Sequence, residues 1–208
     1  NIDGIIELVP TYCSLLINYD VLKIDYNTLV EKLKTFLNND VETTEGEEVT
    51  LVEIPTLYND EFGPDLSYVA EYNKLSKEEV IKIHTGTDYL VYMLGFMPGF
   101  TYLGGMSEKI ATPRLESPRL QIYPGSVGIA GKQTGMYPSM SPGGWRIIGR
   151  TPLKLYNPDS ETPVYISSGD YIRYVSISEE EYNDILKKVE NNEYKLNICK
   201  IKRGELNA

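Results

Sequence analysis

Arginine side chains recur at short intervals in one stretch of the sequence. Arg114 and Arg119 occur in TPRLESPR, where each follows a proline, and Arg146 occurs in GGWRIIG. Because proline fixes its own φ angle, the two Pro-Arg steps can present two guanidinium groups from a loop of set shape. Guanidinium groups bind carboxylates through paired hydrogen bonds. The pattern therefore predicts a binding site for a small carboxylate.

Three further residues of this stretch suit the same site. The carboxamide of Gln133 carries a donor and an acceptor, which fits an amide or a lactam, and Tyr137 and Trp145 can form an aromatic wall. A structural interpretation is also open, in which the arginines pair with nearby acids or loop carbonyls and the aromatic rings belong to the core. The sequence identifies no catalytic residue.

His84 is the only histidine of the chain, which excludes a metal site or a proton relay that needs two histidines. It lies at the predicted end of a helix, just before Thr85 and Gly86. One interpretation makes it a general base or a substrate-binding anchor in a cleft between the two halves of the chain. The other makes it a helix C-terminal residue that interacts favourably with the helix dipole.

The backbone that carries the arginines is rich in residues that restrict its shape. Residues 93–149 contain 11 of the 17 glycines and 6 of the 12 prolines. Large apolar and aromatic side chains are interleaved with them, unlike the composition of a flexible linker. This predicts loops of defined conformation, which are favoured positions for binding residues.

Charge is distributed unevenly along the 208 residues. The net charge is −10, yet residues 91–160 contain seven basic and three acidic side chains, a net charge of +4. An acidic chain repels phosphate backbones, and these few cations do not form a basic stripe, so nucleic acid is excluded as a partner. The local excess of cations favours a small carboxylate, a phosphate or an acidic partner surface.

Composition also limits which cofactors the chain could bind and which compartment it could occupy. The sequence lacks a P-loop and the G-x-G-x-x-G pattern, so no cofactor is assigned to this chain. Two cysteines, Cys13 and Cys199, give neither a disulfide framework nor a metal cluster, which favours the reducing cytoplasm. No apolar run approaches the roughly 20 residues of a membrane span, and the N-terminus lacks a signal pattern.

The first half of the sequence predicts a small α+β unit. Apolar alternation, helix caps and proline positions predict strands at residues 5–9, 13–19 and 49–54, and helices that begin at Asp25 or Asn27, at Asp65 and at Ser76. Ser76 with Glu79 forms the sequence pattern of a capping box.

The second half predicts mainly β structure. Short β-prone runs at residues 89–94, 120–123, 126–130, 146–149, 153–156 and 171–176 are separated by Gly/Pro turns, as in a closed or nearly closed β-barrel. Ser178 with Glu181 predicts the start of a last long helix, and residues 194–201 predict a terminal strand.

Five blocks of the sequence resemble a known family. They are EFGPDL, HTGTDYLVYMLGFMPGFTYLGG, ATPRLESPR, PGSVGIAGKQTGMYP and SPGGWRIIGRTPLKLYNP. In this order they resemble the family that contains the 5-oxoprolinase B subunit, the sporulation kinase inhibitor KipI and allophanate hydrolase subunit 1. The resemblance covers nearly all of residues 5–177.

The resemblance implies an α+β fold with two domains. Residues 1–84 are expected to form a ferredoxin-like domain with connecting helices, and residues 85–208 a cyclophilin-like β-barrel domain. Similar proteins begin with a further strand and helix, which precede Asn1. The ferredoxin-like sheet is therefore expected to be altered, with an open edge that could pair in a homodimer.

The resemblance implies three functions. As an enzyme component, the chain would act with the A and C subunits of 5-oxoprolinase to open the lactam of 5-oxoproline at the expense of ATP, with Arg114 and Arg119 on the carboxylate and Gln133 on the lactam. As a KipI-like inhibitor, it would bind a sensor histidine kinase. As an allophanate hydrolase subunit 1-like component, it would take part in urea breakdown through a carboxyltransferase reaction. The first function is preferred, because the basic loops suit a small anion.

Overall fold

The computed structural model describes residues 2–38 and 46–207, in two compact units, Asn1–Gly46 and Glu47–Ala208. The helices of the described residues are α1 (Tyr26–Asn38), α2 (Leu66–Tyr72), α3 (Lys77–Thr85) and α4 (Glu179–Glu190). The strands are β1 (Ile5–Pro10), β2 (Leu15–Tyr19), β3 (Glu48–Thr56), β4 (Asp88–Leu94), β5 (Thr101–Gly104), β6 (Arg119–Ile122), β7 (Ser126–Ala130), β8 (Gln133–Met136), β9 (Ser141–Gly143), β10 (Arg146–Arg150), β11 (Tyr171–Ser176) and β12 (Ile198–Lys202).

The first unit is a β-hairpin followed by a helix. Strands β1 and β2 pair antiparallel, and the Asp25 carboxylate accepts hydrogen bonds from the backbone N–H and the hydroxyl of Thr28 at 3.1 and 2.6 Å. Asp25 therefore caps α1, and the structure selects it from the two positions, Asp25 and Asn27, that the sequence allowed. The described residues of this unit form a two-stranded sheet and not the four strands of a ferredoxin-like sheet.

A five-stranded sheet organises the second unit. Its strand order is β12-β3-β11-β4-β5, in which β3 and β11 run parallel and the other neighbours antiparallel. Strand β3 therefore lies between two strands from the far end of the sequence. The predicted boundary after residue 84 does not coincide with the division into units, because β3 shares this sheet with β11 and β12.

The remaining strands form two smaller sheets. One has the order β10-β7-β8, and the other is the pair β6-β9. Within the described residues, backbone pairing does not close these sheets into the predicted barrel. Residues 153–156, predicted as a strand, run as irregular chain, whereas β5, β8 and β9 were not predicted. The fold is mixed α+β with several sheets.

Helix ends follow the predicted local signals. Ser76 and Glu79 form a reciprocal capping box at α3, and Ser178 and Glu181 form one at α4. In each, the serine oxygen accepts from the glutamate N–H while the carboxylate accepts from the serine N–H. No helix in residues 2–38 or 46–207 is long and apolar enough to cross a bilayer.

His84 lies in the main core with no exposed surface. Its Nδ1 is 2.7 Å from the Tyr58 hydroxyl, and its Nε2 is 2.8 Å from the Thr134 hydroxyl. Because Thr134 donates to the Gly128 carbonyl, Nε2–H donates to Thr134 and Nδ1 accepts from Tyr58. The Tyr174 ring lies 4.4 Å from the imidazole centroid. His84 therefore joins α3 to the sheets as a neutral, fully bonded side chain.

Burial has a direct electrostatic consequence for this histidine. It lowers the pKa of His84 from 6.5 to about 3, because the core does not solvate an imidazolium ion. The unfolded chain binds a proton below pH 6.5 and the folded chain does not, so the stability due to neutral His84 is lost as pH falls below 6.5.

We expect the free energy of unfolding to fall by about 2 kcal/mol between pH 7 and pH 5 through His84 alone. Urea denaturation of the wild type and of His84→Gln at the two pH values measures this contribution. The variant should lose most of the pH dependence, since the chain has no other histidine. Equal pH dependence in both proteins would contradict the assignment.

Candidate anion-binding site

Asp65 connects the start of α2 to strand β10. Its side chain is only 7% exposed, and its Oδ2 accepts from the Ile147 N–H at 2.7 Å. The Asp65 N–H in turn donates to the Ile147 carbonyl at 2.9 Å. The carboxylate makes no hydrogen bond that caps its own helix. Its hydrogen bonds with Ile147 therefore hold the start of α2 against β10.

Two arginines converge on this carboxylate. Arg119, at the start of β6, is bidentate, with Nη2 at 3.0 Å from Oδ1 and Nη1 at 2.9 Å from Oδ2 of Asp65. Nη1 of Arg146 lies 3.8 Å from Oδ1, and its Nε donates to the Pro113 carbonyl at 3.2 Å. For these two arginines the structural interpretation of the sequence also holds, because each is bonded to an acid or a loop carbonyl.

Arg114 differs from the other two arginines. Its side chain is exposed, and its guanidinium carbon lies 5.9 Å from the centroid of the Trp145 ring. No carboxylate of residues 2–38 or 46–207 pairs with it. Arg114 therefore presents an unneutralised cation at the edge of the Asp65 network, which is the property that a carboxylate-binding residue needs.

The rings of Tyr137 and Trp145 form the predicted aromatic wall, and Arg114 lies over one of them. Trp145 and Tyr137 are 6% and 2% exposed, and each ring meets Phe100 edge to face at 5.6 Å. The chain can pass close to Tyr137 only at a glycine, because a Cβ on Gly143 would lie 2.5 Å from the Tyr137 oxygen. The two rings are thus both core residues and a rigid wall.

Burial sets the protonation state of Tyr137. It raises the pKa of the phenol to about 12, while the charges of Arg114 and Arg119 act in the opposite direction. The hydroxyl is therefore neutral at physiological pH. It can take part in hydrogen bonds, and it is not a general base.

A surface stack extends the site along α2. The guanidinium of Arg146 lies 3.7 Å from the Tyr68 ring centroid, and Tyr68 stacks with Tyr72 at 6.1 Å. Both tyrosines are substantially exposed, at 40% and 52%. Neither Tyr68 nor the ion pairs of Asp65 were predicted from the sequence. The sequence pattern that could have indicated them is the three-residue spacing of Asp65 and Tyr68, which places both on one helical face.

Strand β8 carries Gln133 on one face, and His84 of α3 packs against its other face. Gln133 pairs with Ala130, which packs in the aromatic cluster of Trp145. Opposite residues share a face, so half-buried Gln133 borders the aromatic wall. Thr134 faces the other side, where it binds His84.

The structure therefore brings Arg114, Arg119, Arg146, Tyr137 and Trp145 together, places Gln133 at their border, and separates His84 from them.

The candidate site carries more positive than negative charge. Three guanidinium groups accompany one carboxylate, which leaves a net positive charge beside a rigid aromatic wall. The described residues contain no group of three or more His, Cys, Asp or Glu placed to hold a metal ion.

Comparison with known proteins shows the family. Residues 1–166 match the family described as "Carboxyltransferase domain, subdomain C and D". The chain is 49% identical over 190 residues to the 5-oxoprolinase B subunit of Bacillus subtilis, covering 86% of this chain and 79% of that protein.

Solved structures agree with this assignment. A conserved uncharacterised protein of Pyrococcus horikoshii is 53% identical, with a TM-score of 0.62 over 86% of this chain and 82% of its own. The urea carboxylase of Kluyveromyces lactis shares the fold, with a TM-score of 0.72 over 96% of this chain and 20% of its own, at 19% identity. The resemblance seen in the five sequence blocks is thereby confirmed, and the chain belongs to the carboxyltransferase domain family, subdomain C and D, together with the 5-oxoprolinase B subunit of Bacillus subtilis.

Proposed function

We propose that the chain is the B subunit of an ATP-dependent 5-oxoprolinase and helps to open the 5-oxoproline lactam to glutamate. The observation that carries the proposal is the exposed guanidinium of Arg114, unpaired within the described residues, beside the Trp145 wall. The 49% identity to a 5-oxoprolinase B subunit supports the substrate. 5-Oxoproline carries one carboxylate next to a lactam, which fits one free cation beside a carboxamide.

The residues divide the work of substrate binding. Arg114 binds the substrate carboxylate, Arg119 adds positive potential from its ion pair with Asp65, and Gln133 hydrogen-bonds the lactam amide. The neutral Tyr137 hydroxyl and the Trp145 ring bound the site on the apolar side.

Ring opening itself requires groups from other subunits. Water must add its oxygen to the lactam carbonyl carbon, the C–N bond must break, and the nitrogen must gain a proton, with ATP hydrolysis driving the reaction. The arginine-lined surface supplies binding and charge stabilisation, and its phenol is neutral. We therefore assign ATP and the reacting groups to partners that are homologues of the A and C subunits of 5-oxoprolinase.

Further features belong to the same proposal. The ferredoxin-like character of residues 1–84 and the cyclophilin-like character of residues 85–208 stay predictions from the family resemblance, and we place the complex in the cytoplasm. Pairing of two chains through the first unit stays a prediction.

The other two functions receive less specific support. None of the relatives named above is called a kinase inhibitor, so a histidine kinase partner stays a prediction. Similarity to urea carboxylase, at 19% identity, shows the fold alone.

Reconstitution tests the proposal directly. The chain is purified with homologues of the A and C subunits, and loss of 5-oxoproline is followed with and without ATP. We expect glutamate to accumulate only with ATP and with all three subunits. A well-folded complex without turnover would contradict the function, and tight binding to a histidine kinase that 5-oxoproline does not disturb would favour the inhibitor.

Removal of the free cation should weaken substrate binding. We expect Arg114→Gln in the reconstituted complex to raise the KM for 5-oxoproline about 10- to 100-fold, because one charge-assisted contact is lost. The thermal midpoint should stay within a few degrees, since Arg114 is exposed.

Lys109→Gln is the matched control for Arg114→Gln. It removes one exposed positive charge from the same basic stretch without touching the site. Its KM should match the wild type. An equal rise in KM for both variants would assign the effect to general electrostatics and remove Arg114 from the site.

Arg119→Ala should affect stability as well as binding. It leaves the Asp65 carboxylate, 7% exposed, without its bidentate partner, while Arg119 itself is 32% exposed. We expect a loss of about 1–2 kcal/mol in the free energy of unfolding. In a cycle with Asp65→Asn, the two losses should be non-additive. Additive losses would show that the ion pair does not couple α2 to β6.

A further inference from the structure

A cavity of about 330 Å³ lies in the second unit, away from the arginines. It lies between the end of α4, the irregular chain around residues 153–166, and the segment that leads into β12. None of its lining residues belongs to the anion-binding site described above. A volume of this size is at the lower end of the range for small-molecule pockets.

The floor of the cavity is apolar and rigid. Ile54, Leu155 and Ile166 are 0%, 6% and 4% exposed and belong to the main hydrophobic core. Val189 and Leu196 line the walls. Such a floor favours a hydrocarbon or aryl group over a polar one, because nothing on it replaces hydrogen bonds to water.

Two lysines give the rim a positive charge. Lys154 and Lys195 both line the cavity and both are exposed. Nζ of Lys154 donates to the amide oxygen of Asn157 at 2.8 Å. In the part of the chain that the structure describes, neither lysine pairs with a carboxylate. Two unneutralised cations next to an apolar floor are notable in a chain of net charge −10.

Aromatic side chains flank the opening. Tyr165 is 46% exposed, and Tyr194 lies nearby on the lining. The neighbouring carboxylate of Glu53 accepts from the Asn197 amide at 2.6 Å. Two tyrosine rings at a mouth favour a flat ligand that can stack or meet them edge to face.

We propose that this cavity binds a small aryl-alkyl carboxylate. The ring enters the apolar floor past Tyr165 and Tyr194, and the carboxylate stays at the rim between the ammonium groups of Lys154 and Lys195. The combination of apolar depth and cationic rim distinguishes this ligand from 5-oxoproline, whose lactam is polar throughout. The site is independent of the proposed function, since the two share no residue.

Calorimetric titration of the full chain tests the proposal with 3-phenylpropionate as the probe, at about 0.15 M salt, where nonspecific charge effects are screened. The matched neutral ligand is 3-phenylpropionamide, which has the same ring and length. We expect saturable binding of the carboxylate at one site, and binding of the amide at least about 10-fold weaker. Equal binding of the two ligands, or no binding of the carboxylate at millimolar concentration, would overturn the proposal.

Variants locate the binding. Lys154→Met combined with Lys195→Met keeps the unbranched chain up to the ε position and removes both charges, and it should weaken carboxylate binding about 10-fold while leaving amide binding unchanged. Leu196→Trp fills the cavity and should abolish binding of both ligands. Lys187→Met, on α4 outside the cavity, is the charge-matched control and should bind as the wild type does.

Two outcomes of the variant series would contradict the site. One is an equal loss of affinity in Lys187→Met and in the double variant, and the other is unchanged binding in Leu196→Trp. Thermal midpoints of all variants are measured without ligand, so that a variant that fails to fold is replaced by Val189→Phe, which fills the same cavity from α4.

Discussion

The hydrogen bonds and the ion pair of the buried Asp65 carboxylate are the interactions on which the arrangement of the candidate site depends. A carboxylate removed from water is costly unless its lone pairs are satisfied, and Asp65 meets this requirement with the Ile147 N–H and two nitrogens of Arg119. These bonds join three elements that are distant in sequence, α2, β10 and β6. Because one carboxylate contacts all three elements, the orientation of Arg119 follows from the packing of the core and not from a ligand.

This constraint divides the arginines by role. Arg119 and Arg146 are held by protein groups, so they contribute a fixed positive potential whether or not a ligand is bound. Arg114 has no ion pair with Asp65, and its guanidinium lies over the Trp145 ring. A preorganised background charge with one free donor lowers the reorganisation that binding requires.

Local features of the fold could be predicted from the sequence, and long-range ones could not. The capping boxes at Ser76 and Ser178 and the cap at Asp25 were correct, because each depends on residues three positions apart. The strands of the described residues pair into separate sheets and not into one closed barrel, and the sequence could not show this because strand pairing depends on distant partners. The parallel pair of β3 and β11 joins residues more than a hundred positions apart, and no local pattern signals it.

The same distinction applies to the candidate site. Residue type and proline spacing identified the arginines and the aromatic wall, which the structure brings together. The partners of Asp65 lie 54 and 82 positions away, and those of His84 lie 26 and 50 positions away. A histidine near a helix end looks the same in sequence whether it faces a cleft or a core. The hydrogen bonds to Tyr58 and Thr134 settle its environment, and they are visible only in the folded chain.

We expect Arg114 to recognise the carboxylate of 5-oxoproline and no other part of the molecule. A double cycle tests this by changing both the substrate and the side chain. The value of kcat/KM is determined in the reconstituted complex for 5-oxoproline and for 5-oxoprolinamide, each with the wild type and with Arg114→Gln. We expect Arg114→Gln to lower kcat/KM about 10-fold or more for the carboxylate substrate and less than about 2-fold for the carboxamide. Equal losses for the two substrates, or no loss for either, would contradict it.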